Sequence, residues 1–251
     1  SPGNEQDSPG QPFSQMNTTS PSPVPSALRV LIIGRGRMGQ MVREQAERRG
    51  HTVVDLWGRK ELQKGLWPQV DVAIDFTSPE SAMEVFVACR DQGVPLVSGT
   101  TGWESHRDTV EQQVCQGGHR FLWSPNFSVG VHLFRRALAQ VQKELQGHEF
   151  SVRVDEVHHT GKKDAPSGTA IALAQDLKNR GASHIEVGAS RLPGVPGTHT
   201  VSWDNQVDRL VLEHSAKDRS GFGFGAVQAA EWLVAHEGPF NKILGMEDVW
   251  G

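Results

Sequence analysis

Residues 27–50 read ALRVLIIGRGRMGQMVREQAERRG: an apolar run, a glycine-rich turn and a helical pattern in immediate succession. The run ALRVLIIG, apolar but for Arg29, has the look of a short strand buried on both faces of a parallel sheet. In MGQMVREQAERRG, Met38, Val42 and Ala46 recur on one helical face, and Gly50 supplies a stop. Between them lies G-x-G-x-x-G, in the strand-to-helix context that gives this pattern its meaning. Gly34 allows the tight turn, Gly36 lets backbone approach a pyrophosphate, and Gly39 lets helix and strand pack closely. Free N–H groups at the helix N-terminus then face the anion. The stretch predicts a dinucleotide-binding βαβ unit.

Working outward, the same rhythm continues. HTVVDLW (51–57), DVAIDFTS (71–78), VPLVSGTTG (94–102) and HRFLWSPNF (119–127) read as strands with their following turns, and PESAMEVFVACRDQG (79–93) reads as a helix opened by Pro79. This alternation predicts an α/β fold with a Rossmann-type doubly wound parallel sheet. From Ser128 the pattern changes. SVGVHLFRRALAQVQKELQG (128–147) is one amphipathic helix, FSVRVDEVHH (150–159) alternates like a half-buried strand, and PSGTAIALAQDLKNRG (166–181) is a second helix. GTHTVSWDN and DRLVLEHSAK form an antiparallel pair turning at DNQVD (204–208), and GAVQAAEWLVAH (225–236) is a final helix returning to the first unit. The expected division is a dinucleotide-binding domain over 28–127 and 222–251. A smaller α+β substrate and oligomerisation domain with an open mixed sheet covers 128–221. Residues 1–27, rich in Ser, Pro, Gln and Asn, read as a disordered tail.

Composition narrows the function classes. With 37% hydrophobic and 22% charged residues among 251, the chain suits a folded core in water. A net charge of −4 argues against nucleic acid as a partner. No apolar run approaches the about 20 residues that span a bilayer, so no membrane is expected. Two cysteines, Cys89 and Cys115, fit a reducing compartment, and no leader pattern is evident, so the cytoplasm is expected.

Cofactor type turns on the end of the second strand. There Asp55 comes early, Gly58 occupies the position where an acidic residue would accept a ribose 2′-hydroxyl, and Arg59 and Lys60 follow. Two cations suit a 2′-phosphate, so NADPH is expected in preference to NADH, with a solvated basic turn as the alternative. Three more strand ends open on the same crevice: Phe76 and Thr77 in DFTSP, Gly99, Thr100 and Thr101 in SGTTG, and Ser124, Pro125, Asn126 and Phe127 in SPNFS, the last a candidate hinge.

The densest chemistry is EVHHTGKKDAPSGTA (156–170). A helix beginning near Ser167 leaves the N–H groups of Gly168, Thr169 and Ala170 without intrahelical partners, an anion site that Lys162, Lys163 and the Thr169 hydroxyl reinforce. This donor set fits a small dicarboxylate. Asp164 can order the loop or orient a lysine. On an extended segment His158 and His159 point oppositely: one can donate a proton while the other binds a carboxylate. Adjacent histidines rarely chelate one ion and no third ligand is suitably spaced, so no metal is expected.

The stretch matches E-x-H-H-x-x-K-x-D-A-P-S-G-T at every fixed position, and the chain from Leu28 onward resembles the dihydrodipicolinate reductase family of lysine biosynthesis. AIDFTSP, SGTTG and SPNFSVGV belong to the same resemblance, as do R-x-x-x-x-x-G-x-H at Arg191, Gly197 and His199 and H-x-A-x-x-R-x-x-F-x-x-G-A at His214–Ala226. The resemblance implies that His158 and Lys162 are catalytic proton donors and that His159, Ser167, Gly168 and Thr169 bind the substrate. It implies nucleotide binding by Gly34, Arg35, Gly36, Arg37 and Met38, by Gly99–Thr101 and by Ser124–Phe127. It further implies NAD(P)H-dependent reduction of 4-hydroxy-tetrahydrodipicolinate in the diaminopimelate route, and a homotetramer built through the second domain's sheet.

Departures from the family pattern are a glycine loop one residue shorter than in many members, Gly58 at the ribose position and Pro193 where glycine is frequent. A brief stretch between Gly181 and Arg191 suggests a trimmed element near the subunit interface. Alternative readings are another two-domain NAD(P)H oxidoreductase acting on a small imino or keto acid, and a non-catalytic NADPH-binding regulatory protein.

Overall fold

The computed structural model describes residues 26–251, so the expected tail lies, but for its last two residues, outside the described part. Its first sheet is wholly parallel: β1 (Arg29–Ile33), β2 (Thr52–Trp57), β3 (Val72–Asp75), β4 (Leu96–Ser98) and β5 (Phe121–Trp123), in the order β2-β1-β3-β4-β5. β1 and β3 are neighbours although β2 lies between them in sequence. The chain therefore reverses direction across the sheet between β1 and β3, and a crevice opens beyond their carboxyl ends.

Continuous apolar strands demand cover on both faces, and they receive it. On one side α1 (Arg37–Arg48) and α7 (Ser220–Ala235) bury Val42, Ala46, Ala226, Ala230 and Leu233 against Val30, Ile32 and Ile74. On the other, α3 (Pro79–Asp91) and α4 (Arg107–Gly117) bury Val85, Phe86, Cys89, Val110 and Val114 against Leu31, Ile33 and Leu96. α7 begins at Ser220, five residues before the apolar run that marks it in sequence. It is locked to α1's end by Arg49, whose guanidinium donates to both Glu231 oxygens at 2.6 and 2.8 Å, and by His51 at 2.7 Å from Glu231 Oε1. Cys89 is fully buried in this second layer, and both cysteines are free.

The second sheet is mixed, in the order β7-β6-β8-β9: β6 (Ser151–His158), β7 (Ile185–Arg191) parallel to it, and the antiparallel hairpin β8 (Thr198–Asp204) and β9 (Arg209–Ser215). Period-2 alternation in β6 sends Val152, Val154, Glu156 and His158 to one face, where α5 (Val129–Glu144) and α6 (Gly168–Asn179) cover it. Trp203 is fully buried there and its indole N–H donates to Gln142 Oε1 at 3.0 Å. The opposite face is polar: Arg153 bonds Asp155 and Glu186, with Ser202 and Val211 beside Arg153 in register. The brief stretch after Gly181 is thus a full strand. α4, the short α2 (Arg59–Gln63) and α8 (Met246–Trp250) also went unrecognised in sequence. No helix among the described residues is long and apolar enough to cross a membrane.

Candidate active site

The crevice starts at the glycine turn. Gly34 has φ +119°, and a Cβ there would collide with the Phe76 carbonyl; one on Gly39 would collide with the Gly34 carbonyl. A Cβ on Gly36, by contrast, would meet nothing within 4 Å. Backbone at Gly36 is thus open to a ligand. The first turn of α1 follows directly, with the first intrahelical bond running from Gln40 N–H to Gly36 O at 3.1 Å. Unpaired first-turn donors beside an open glycine fit a pyrophosphate.

The neighbouring strand ends are fastened to each other. Asp75, 1% exposed, accepts from Ser98 Oγ at 2.7 Å and from the Thr77 N–H at 3.1 Å. Burial raises its pKa above the usual carboxylate range. The Thr77 N–H also donates to Thr100 Oγ1 at 2.9 Å, and the Thr100 carbonyl accepts from the Trp103 and Trp123 indoles. Thr77 and Thr100 therefore hold the crevice together. Phe76, stacked edge-on to Phe127 at 5.9 Å, forms its wall.

The basic end of β2 is arranged differently from the sequence expectation. Arg59 donates to Glu84 on α3 at 2.9 Å, and Lys60 does not line the cleft. Arg35, from the glycine turn, takes the place beside Gly58: it donates to Leu56 O at 3.1 Å and pairs with Glu61 at 3.0 Å. The Glu61 carboxylate in turn accepts from the Gly58 N–H at 2.9 Å, which with the Arg35 pairing holds it below the usual range.

Across the cleft, cross-strand register builds a polar row above the second core. Glu156 on β6 faces His199 on β8, and His199 faces His214 on β9. His158 follows Glu156 on the same face. Glu156 has no exposed side-chain area; its Oε1 accepts from the Ser167 N–H at 2.9 Å and from Arg191 at 3.2 Å. Its Oε2 lies 3.4 Å from His158 Nδ1 and 3.6 Å from His199 Nε2. Burial lowers the His158 pKa, with Glu156 opposing, and burial together with neighbouring His158 pushes His199 down to about 4. His199 is accordingly neutral near pH 7. Sequence reasoning gave Glu156, Arg191, His199 and His214 no part in the site. Glu156 was visible in the period-2 spacing from His158, whereas the histidines required the hairpin register. The third metal ligand missing from the sequence spacing is also supplied by the fold, since Glu156, His158 and His199 present ligand atoms within 4.8 Å of one another. Arg191 already neutralises Glu156, so the group suits proton handling.

α6 delivers the anion site. Ser167 is its N-cap and accepts from the Ala170 N–H at 3.2 Å, which removes Ala170 from the three free donors expected. Gly168 and Thr169 remain at the cleft, and a Cβ on Gly168 would meet nothing within 4 Å. Lys162 Nζ donates to both Asp164 oxygens at 2.8 and 3.0 Å, which keeps the Asp164 carboxyl below its usual range. His159 lies past the end of β6, so strand alternation does not send it to the opposite face; it meets Arg219 at 3.2 Å and lines the same cleft as His158.

One cleft of about 870 Å³ brings the two halves together. Met38, Phe76, Gly99, Thr101, Pro125, Asn126 and Phe127 line it from the parallel sheet, and His158, His159, Lys162, Lys163, Ser167, Gly168 and Thr169 from the mixed one. Gly34, Arg35, Gly36, Arg37, Gly39, Thr77, Thr100 and Ser124 lie outside its lining, and so do Arg59 and Lys60. A more open depression of about 890 Å³ on the outer side of α5, with Arg136, Gln140 and Lys143, has no acid–base pair of this kind.

Comparison with known proteins gives the family and the fold. Residues 59–127 match the family described as dihydrodipicolinate reductase, N-terminus, and residues 130–250 match its C-terminus. A 4-hydroxy-tetrahydrodipicolinate reductase of Christiangramia forsetii is 35% identical over 239 residues, covering 88% of this chain and 97% of that protein. One of Wolbachia pipientis wMel is 37% identical over 203 residues, covering 74% and 76%. The dipicolinate-bound dihydrodipicolinate reductase of Paenisporosarcina sp. TG-14 has the same fold, with a TM-score of 0.73 at 21% identity over 88% of this chain and 98% of that one.

Proposed function

The chain belongs to the dihydrodipicolinate reductase family, and from that premise we propose that it reduces 4-hydroxy-tetrahydrodipicolinate to tetrahydrodipicolinate in lysine biosynthesis. The observation that carries this reading is the cleft in which an imidazole, a lysine and a helix N-terminus share one lining with Met38, Phe76, Gly99 and Thr101 at the strand ends of the parallel sheet. A nicotinamide cofactor supplies the hydride when bound. The chain's own residues do the rest. Gly168 and Thr169 receive a substrate carboxylate, with His159 beside them. His158 gives the proton that accompanies the hydride, and Lys162, aligned by Asp164, assists departure of the hydroxyl as water. Elimination of the hydroxyl takes one C–H proton from the neighbouring ring carbon to water, so against the two protons given by Lys162 and His158, one is taken up overall and one water is released.

NADPH is the cofactor we assign in preference to NADH. Arg35 supports this, being a half-exposed cation at the ribose end of the glycine turn whose anionic partner among the described residues is Glu61. Lys60 stays free to approach a 2′-phosphate; Arg59 would first have to leave Glu84. The residues proposed to hold the dinucleotide are Gly34–Gly39, Phe76 and Thr77, Gly99–Thr101 and Ser124–Phe127. No step requires a metal. The parallel-sheet unit is assigned as the cofactor domain and residues 128–221 as the substrate domain, closing about Ser124–Ser128.

We assign a homotetramer in the cytoplasm. The polar face of the mixed sheet, which no helix of the described residues covers, supports the first, and the two free cysteines support the second. Sedimentation of wild type against Val211→Glu tests the assembly: loss of a tetramer peak in the variant supports it, and a monomeric wild type refutes it. Substrate-dependent oxidation of NADPH tests the reaction.

A further inference from the structure

We propose that Glu156 is a positioning residue: its carboxylate sets the His158 imidazole with Nδ1–H inward and Nε2 toward the cleft, and braces the anion-binding turn of α6 from the same side chain. This rests on the assignment of His158 as proton donor and adds to it the device that makes the donor work.

Glu156 Oε2 and His158 Nδ1 are both buried, face each other at 3.4 Å and have no hydrogen-bond partner. One is an obligate acceptor and the other becomes a donor when it carries a proton. A buried lone pair and a buried ring nitrogen left unpaired are each costly, and a closure of a few tenths of an ångström joins them. The opposite ring nitrogen, Nε2, stands beside Gly197 on the cleft wall, where only a residue without a side chain leaves room. Oε1 is meanwhile committed to the Ser167 N–H and Arg191. Proton donor and anion site therefore share one immobile carboxylate.

The charges around His158 give the sign. Lys162, His159 and Arg191 all disfavour its protonation, as burial does, while Glu156 favours it. His199 stands edge-on to it at 5.1 Å, with His214 beyond on β9. Among these neighbours Glu156 alone brings a negative charge, so its removal must lower the pH at which His158 gives up its proton.

The test is nitrogen-15 NMR of the imidazoles in the substrate-free wild type, joined to pH–rate profiles of Glu156→Gln and Glu156→Asp. The proposal expects neutral His158 to carry its proton on Nδ1. In Glu156→Gln the high-pH limb of kcat/KM should shift to lower pH and kcat should fall about tenfold or more, with the dissociation constant of pyridine-2,6-dicarboxylate changed about threefold or less. Glu156→Asp, which keeps the charge, should restore the limb. An Nε2–H tautomer in the wild type overturns the proposal. An unmoved limb in a folded, NADPH-binding Glu156→Gln protein also overturns it, since a merely structural carboxylate would lower stability and leave the limb in place. Should Glu156→Gln not fold, the wild-type tautomer decides alone. The tautomer is read without turnover, so a protein that fails to reduce the proposed substrate but shows Nδ1–H contradicts the reaction and not the orientation.

Discussion

A Cβ on Gly197 would lie 2.9 Å from His158 Nε2, so the glycine before β8 and the imidazole ending β6 occupy complementary space. Gly197 also has φ +156°, a conformation other residues rarely adopt. Gly197→Ala should therefore displace the ring that faces the cleft. We expect a loss of kcat on the order of tenfold or more and of stability by about 1–3 kcal/mol, with NADPH affinity unchanged. Steady-state kinetics and a thermal melt check both; normal kcat would mean that the ring's position is not critical.

Lys162 and Lys163 are adjacent and both line the cleft, yet only Lys162 is held, by Asp164 at 2.8 Å. Lys162→Ala should bind NADPH normally and lose roughly a hundredfold in kcat, the usual scale for removing a positioned proton donor. Lys163→Ala should stay within about threefold of wild type, since an exposed surface cation adds little. Equal losses in the two variants would contradict the distinction.

The contrast between these lysines shows what sequence can carry. Their ranking comes from a resemblance over the contiguous stretch EVHHTGKKDAPSGTA. The same held for the β1 turn and the β8–β9 hairpin, where apolar runs and turn residues sit next to each other in the chain. What escaped notice depends on distant partners. β7, EVGAS at its centre, is an edge strand of small and exposed residues without alternation, and it becomes a strand by pairing with β6. Arg59 reads in sequence as a cofactor residue, and its pairing with Glu84, 25 residues on, is visible only in the fold. The Glu156–His199–His214 row exists only through the β6–β8–β9 register.

Cofactor choice separates Arg35 from Arg59. Arg35→Ala should cut the preference for NADPH over NADH about tenfold, the scale of one lost charge-assisted phosphate contact, while Arg59→Ala should change it about twofold or less. Dissociation constants of both reduced cofactors supply the comparison. A larger effect at Arg59 would restore the sequence-based assignment.

Acid stability reports on Glu231. Burial works to raise its pKa, but the bonds from Arg49 and His51 outweigh it and the net shift is downward. A carboxyl depressed in the folded state stabilises above its unfolded pKa, and that contribution disappears as pH falls through the folded value. Glu231→Gln should cost about 2 kcal/mol near neutral pH, moderated because Arg49 still reaches water, and the cost should shrink toward pH 4 and below. Urea melts across that range test it; a cost independent of pH would rule out the ion pair as its source.

The central claim is the reaction, and its most direct measurement is NADPH oxidation by the purified chain with freshly generated 4-hydroxy-tetrahydrodipicolinate. We predict substrate-dependent oxidation that yields tetrahydrodipicolinate and falls about a hundredfold with Lys162→Ala. Folded protein that binds NADPH and still gives no turnover would contradict the account.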